Sequence, residues 1–124
     1  MNKLKIAFDV DDTLIIPAVA LKDEPHPYIG IYGAIPNYEI ISIYKFFKKQ
    51  GHFMIVWSGG GIDYARTWAE KLGLNPDSVI VKEKNDNIDI AFDDCIVDLA
   101  KVNIRVKRLN NNISRDDWNK NKDE

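Results

Sequence analysis

Apolar residues fall along this chain in two rhythms. Short apolar runs bounded by turn residues alternate with stretches where apolar positions recur every three or four residues. The first run spans 3–9, where Leu4, Ile6 and Phe8 are apolar and Ala7 is small, and it predicts a strand. Over 37–50 the residues Ile40, Ile41, Tyr44 and Phe47 take helical spacing, and Gly51 supplies a stop. A near-continuous run, Phe53 to Trp57 within 52–57, predicts a strand covered on both faces. A second helix is predicted over 62–72, closed by Gly73 and the Asn75-Pro76 turn. Short strands follow over 78–81, 88–92 and 102–106, with a short helix over 95–100 between the last two.

Strands that alternate with helices in this way argue for an α/β fold with a parallel sheet and helices on both of its faces. Two segments depart from the pattern. The stretch 13–36 far exceeds the usual βα loop of about 2–6 residues. It contains Pro17, Pro25, Pro27, Gly30, Gly33 and Pro36, which exclude a helix. It is expected to form a flap over about 15–35, with 19–21 and 28–32 paired as a small hairpin. Tyr28 and Tyr32 on that flap are candidate substrate contacts. The end of the chain, 108–124, is rich in Asn, Lys and Asp and reads as a polar tail. In it, Ser114 and Asp117 suit a cap on a last helical turn around Trp118. The folded domain is therefore expected over 1–107.

Composition adds little to the positional pattern. With 124 residues, one domain is expected, and 45% hydrophobic residues are ordinary for a globular chain. The net charge of -2 does not favour nucleic acid as a partner, though it leaves room for a local basic patch. Cys95 is the one cysteine, which excludes an internal disulfide and fits a reducing compartment. Beside two aspartates in a core segment, it reads as a small buried hydrophobe rather than a reactive thiol. No leader peptide or membrane-length apolar run stands out, so a cytoplasmic protein without a membrane partner is expected. His26 and His52 show no metal-ligand spacing and read as incidental.

The chemistry gathers at the predicted strand ends. Strand one runs into Asp9-Val10-Asp11-Asp12-Thr13, strand two into Ser58-Gly59-Gly60-Gly61, strand three into Lys82 and Lys84, and strand four into Asp93-Asp94. Open parallel sheets bind ligands outside the carboxyl ends of their strands. Carboxylates crowded there repel one another and resist desolvation unless a cation sits among them. A hard divalent cation such as Mg²⁺, which takes oxygen ligands, suits the cluster. Asp12 reads as a solvent-facing or turn residue, and Trp57 as core or as lining for the mouth of the site.

In these motifs the chain resembles the haloacid dehalogenase superfamily of phosphotransferases. The resemblance runs over about 3–106 and rests on Asp9-Val10-Asp11-Asp12-Thr13, Ser58 after a hydrophobic strand, a lysine at Lys84 or Lys82, and Asp93-Asp94. It implies a three-layer, Rossmann-like, doubly wound sheet of five parallel strands in the order 3-2-1-4-5. It also implies a small capless phosphomonoester hydrolase working through an aspartyl-phosphate. Asp9 would be the nucleophile and Asp11 the general acid–base. Ser58, Gly59 and a lysine would hold the phosphoryl group, with Lys84 favoured over Lys82 on its spacing to Asp93. Mg²⁺ would sit on Asp9, the Asp11 carbonyl and Asp93, with Asp94 nearby. The phosphorylated substrate would be a small metabolite, a nucleotide or a macromolecular terminus. Two other readings are a receiver-like phosphoaccepting domain and a non-catalytic binding module. The strand that would carry a receiver's phosphoaccepting Asp ends instead in Trp57-Ser58.

Overall fold

The computed structural model describes residues 3–17 and 34–109. The hairpin expected within the flap, Tyr28 and Tyr32, and the cap around Trp118 lie outside these residues. The elements in chain order are β1 (Lys5–Asp9), β2 (Ile15–Ile16), β3 (Ile35–Pro36), α1 (Tyr38–Lys49), β4 (Phe53–Trp57), α2 (Ile62–Lys71), β5 (Ser78–Val79), β6 (Ile90–Asp93) and β7 (Val102–Arg105). Five strands form one all-parallel sheet in the order β5-β4-β1-β6-β7. The fold is thus α/β and Rossmann-like. The written order differs from the expected one because the flap contributes two strands of its own. Here β2 and β3 pair antiparallel at the flap's root, Ile15 with Pro36 and Ile16 with Ile35. Counted over the main sheet alone, the order is 3-2-1-4-5.

The winding follows from handedness. A strand–crossover–parallel strand unit is almost always right-handed. The connections from β1 to β4 and from β4 to β5 step one way along the sheet, so α1 and α2 share a face. The connections from β5 to β6 and from β6 to β7 step the other way and cover the opposite face. Strand alternation sorts the core accordingly. Ile6, Phe8, Met54, Val56 and Phe92 pack under Ile40, Ile41 and Tyr44 of α1 and Ala65, Trp68 and Ala69 of α2. The Phe8 and Phe92 rings stack 4.5 Å apart, and Tyr44 meets Phe8 edge-on at 5.1 Å.

The other face carries Ala7, Ile55, Trp57 and Ala91. No helix covers it among the described residues. Ile80, Ile88, Leu99 and Ala100 do so from irregular connections. The small side chains of Ala7 and Ala91, adjacent on β1 and β6, let those connections lie close. The expected third helical layer, and with it the helix over 95–100, is therefore corrected. The backbone donors of that stretch go to side chains instead. Asn103 Oδ1 accepts the N–H groups of Leu99 and Ala100 at 2.9 and 3.1 Å, and Asp93 Oδ1 accepts that of Cys95 at 2.9 Å. Side chains that bond backbone locally compete with helix formation.

Both helices end as their glycines predict. Gly51 (φ 90°) and Gly73 (φ 66°) take left-handed backbone. The paired bonds His52 N–H to Phe47 O and Gly51 N–H to Lys48 O close α1, and Leu74 to Ala69 with Gly73 to Glu70 close α2. His52 also accepts the Leu4 N–H on Nδ1 at 3.0 Å, a structural role that ties β4 to the start of β1. No described helix is long and apolar enough to cross a membrane.

Candidate active site

The polar groups sit where three neighbouring strands end. After β1 the chain turns about one carbonyl: Val10 O accepts the N–H groups of Thr13, Leu14 and Ile15 at 3.0–3.2 Å. Val10, Leu14 and Ile15 are fully buried and anchor this turn in the core. Asp12 takes the left-handed conformation (φ 63°) that closes it, which Asp tolerates better than most residues. The turn role expected of Asp12 is met, but its side chain is buried rather than solvent-facing.

On one side of β1, β6 delivers Asp93. On the other, β4 runs alongside with Asp9 opposite Trp57, so Ser58 lies one residue beyond that pair. Ser58 is buried, and its Oγ accepts the Gly60 N–H at 3.0 Å. Gly59 is exposed, and α2 begins just past Gly61. The N-terminus of that ten-residue helix therefore opens at the carboxyl edge of the sheet, a position that favours anions. Trp57 is fully buried in the second face and belongs to the core rather than to a site mouth.

Asp9 and Asp93 share one cation. Lys82 Nζ lies 3.2 Å from Asp9 Oδ1 and forms an ion pair with Asp93 Oδ2 at 2.6 Å. Burial, followed by the charge of Asp93, pushes the Asp9 carboxyl well above the ordinary range; Lys82 opposes this, while Asp94 and Asp11 add to it. Burial raises Asp93 as well, against the pull of Lys82. Burial works against the Lys82 ammonium, but Asp9 and Asp93 outweigh it and hold its pKa above normal. Asp93, Asp94 and Asp11 are thus close enough to repel Asp9.

Lys84, the lysine favoured by spacing, stands elsewhere. It pairs with Asp98 at 3.3 Å on the surface. Lys82 is the lysine that the fold brings to Asp9 and Asp93. Asp94 is buried and paired with Arg108, whose Nε donates to Oδ2 at 2.7 Å, and Arg105 Nε donates to the Asp94 carbonyl at 3.3 Å. Arg108 lies in the stretch expected to be tail, yet it contacts the edge of the site. Cys95 is only half-buried, with Sγ 3.7 Å from Asp94 Oδ2 and 3.4 Å from an Arg108 amine. Its thiol is more polar in its contacts than a buried hydrophobe, and burial followed by Asp94 raises its pKa.

Two contacts were not read from the sequence. Tyr64 Oη donates to Asp11 Oδ1 at 2.6 Å. The signal was available: Tyr64 is in the first turn of a helix that starts at the edge of the site. Arg108 lies in the stretch read as tail and carried no such signal.

The donor set fits a hard divalent cation. Asp9 and Asp93 are buried carboxylates already converging on one positive charge, and carboxylate oxygens are the donors such a cation takes. The buried Oγ1 of Thr13 has no hydrogen-bond partner among the described residues. Asp93, Asp94 and Cys95 also bring one ligand atom each within 4.8 Å of one another. That trio suits a hard cation less well, because one donor is a protonated thiol and Asp94 is held by Arg108. No family model matches the chain, and no curated protein matches it.

Proposed function

We propose that the chain is a Mg²⁺-dependent phosphomonoester hydrolase of the haloacid dehalogenase type. The observation that carries this reading is the convergence of Asp9, Asp93 and Lys82 from three separate segments at the carboxyl edge of the sheet. Mg²⁺ bound by Asp9, the Asp11 carbonyl and Asp93, with Asp94 nearby, would neutralise the repulsion between the carboxylates and an anionic phosphate.

The chain's own residues then divide the work. An Asp9 carboxylate oxygen attacks phosphorus and forms an aspartyl-phosphate as the bond to the leaving oxygen breaks. Asp11 gives that oxygen its proton. Asp11 next takes a proton from water as the water attacks phosphorus, and the bond to Asp9 breaks to release phosphate and the free carboxylate. Lys82 favours the ionised form of Asp9 against burial and the neighbouring acids and brings positive charge to the phosphoryl oxygens, while Ser58 and the backbone N–H groups that follow supply donors. Lys82 takes the role for which spacing favoured Lys84. Between β1 and β4 the described residues hold two short strands and one helix.

The test is phosphate release from p-nitrophenyl phosphate with Mg²⁺, with EDTA, and with Asp9→Asn. Mg²⁺-dependent release that is lost in Asp9→Asn, while the variant stays folded, is the expected result. Protein that becomes phosphorylated without turning over would favour a receiver-like domain. No reaction of any kind would favour a binding module.

A further inference from the structure

Tyr64 reaches the site from α2 rather than from a strand end. Its hydroxyl meets Asp11 Oδ1 at 2.6 Å, within the short range of an O–H donor on a carboxylate. The ring has a fixed seat. Ala65, Trp68 and Ala69 anchor the same helix in the core. Beneath the ring lies Gly60, where a Cβ would come within 3.1 Å of Tyr64 Cδ2 and 3.3 Å of Cγ. Gly60 is not among the residues with positive φ, so its backbone does not demand glycine. The ring above it favours glycine, since a Cβ would make it give way slightly.

We propose that Tyr64 is a positioning residue that locks the Asp11 carboxyl in the orientation needed for proton transfer. The inference rests on the reading of Asp11 as general acid–base. A tyrosine hydroxyl has one proton to donate, and the carbonyl-type oxygen of a neutral carboxyl is its better acceptor. A donor on Oδ1 therefore leaves Oδ2 to carry the acid proton in either half of the reaction. It also restrains rotation of the carboxyl, because the hydroxyl that holds it is carried by a helix anchored in the core. Small misplacements of a catalytic group are expensive in rate. Gly60 belongs to the same device, because a Cβ there would press on the ring and shift it by a few tenths of an ångström.

The test compares Tyr64→Phe with wild type on an alkyl phosphate, which needs its leaving group protonated, and on p-nitrophenyl phosphate, which does not. General acid catalysis contributes about 10²–10⁴-fold, so loss of positioning is expected to lower kcat on the alkyl phosphate roughly tenfold with KM little changed. The aryl substrate should lose about twofold or less by the same reasoning. In an Asp11→Asn background, Tyr64→Phe should cost nothing further on the alkyl phosphate, because residues that act as a unit are not additive. Gly60→Ala, which displaces the ring but keeps the hydroxyl, should show the same substrate bias and covers the case in which Tyr64→Phe is unstable. Equal losses on both substrates, or additive losses in the double variant, would overturn the inference. If Asp11→Asn itself shows no leaving-group dependence, the acid–base reading falls and the inference with it. If Asp11→Asn shows the dependence and Tyr64→Phe does not, only the inference falls.

Discussion

Lys82→Met and Lys84→Met form a matched pair of perturbations. Each keeps an unbranched stem and removes an ammonium, but the consequences should differ widely. Lys82 is 18% exposed and faces Asp9 and Asp93, whose side chains are 7% and 1% exposed. At an effective dielectric of 20, its two contacts are worth about 12 kcal/mol of gross attraction, most of it offset by the desolvation of three ions. Removing one partner of a buried ion pair strands the other charge, at a typical cost of about 3–5 kcal/mol. Both carboxyls already have raised pKa values and can take up a proton, which lowers the expected cost to about 2–4 kcal/mol. Lys84 and Asp98 are 64% and 77% exposed, so Lys84→Met should cost less than about 0.5 kcal/mol.

Thermal unfolding followed by circular dichroism in EDTA reads the difference directly. At roughly 4–8 °C per kcal/mol for a domain near this size, Lys82→Met should lower Tm by about 10–25 °C and Lys84→Met by no more than about 4 °C. Saturating Mg²⁺ should recover more of the loss in Lys82→Met than it adds to wild type, because it replaces the missing charge. Equal Tm losses in the two variants, or a Lys82→Met protein as stable as wild type in EDTA, would refute this account of the site.

Other expectations follow from the same geometry. Mg²⁺ should raise the Tm of wild type in a concentration-dependent way, as any ligand of the native state does, and that rise should disappear in Asp93→Asn. Ca²⁺ should occupy the site and inhibit turnover, since it accepts irregular, higher coordination; full activity in Ca²⁺ would count against the assigned metal chemistry. Asp89 accepts the Lys5 N–H on Oδ2 at 2.8 Å, and that bond holds its pKa below the usual 3.8. Its contribution to stability is therefore present above the unfolded pKa and lost as pH falls through the folded one, so Asp89→Asn should flatten the acid limb of a Tm-against-pH curve. Tyr44 Oη donates to the Leu74 carbonyl at 3.2 Å within the core, so Tyr44→Phe should cost about 1–2 kcal/mol in urea unfolding without altering turnover.

The sheet was legible because its strands are short apolar runs closed by glycine, proline or acid, and both helices end where Gly51 and Gly73 say they should. That irregular segments rather than a helix cover the second face among the described residues was not legible. An apolar run such as Ile96, Val97, Leu99 and Ala100 looks helical in isolation, but Asp93 captures the N–H of Cys95 before it and Asn103 those of Leu99 and Ala100. The acids could be read by position, since strand ends project to one edge. The choice between Lys82 and Lys84 could not. It depends on which face the irregular segment after β5 presents, and spacing along the chain does not encode that. Arg108 was missed for a related reason: its role comes from the neighbouring strand's Asp94, not from its own surroundings in sequence.

Whether Asp9 becomes phosphorylated is the most direct test of the central claim. Enzyme mixed with substrate and Mg²⁺ is quenched in acid within one turnover, reduced with borohydride and mapped by tandem mass spectrometry. An aspartyl-phosphate is reduced to homoserine, so the account predicts homoserine at position 9 and nowhere else. Its yield should rise and fall with the burst of phosphoryl transfer. Turnover with Asp9 unmodified at every quench time, or homoserine at Asp11, Asp93 or Asp94 instead, would contradict it.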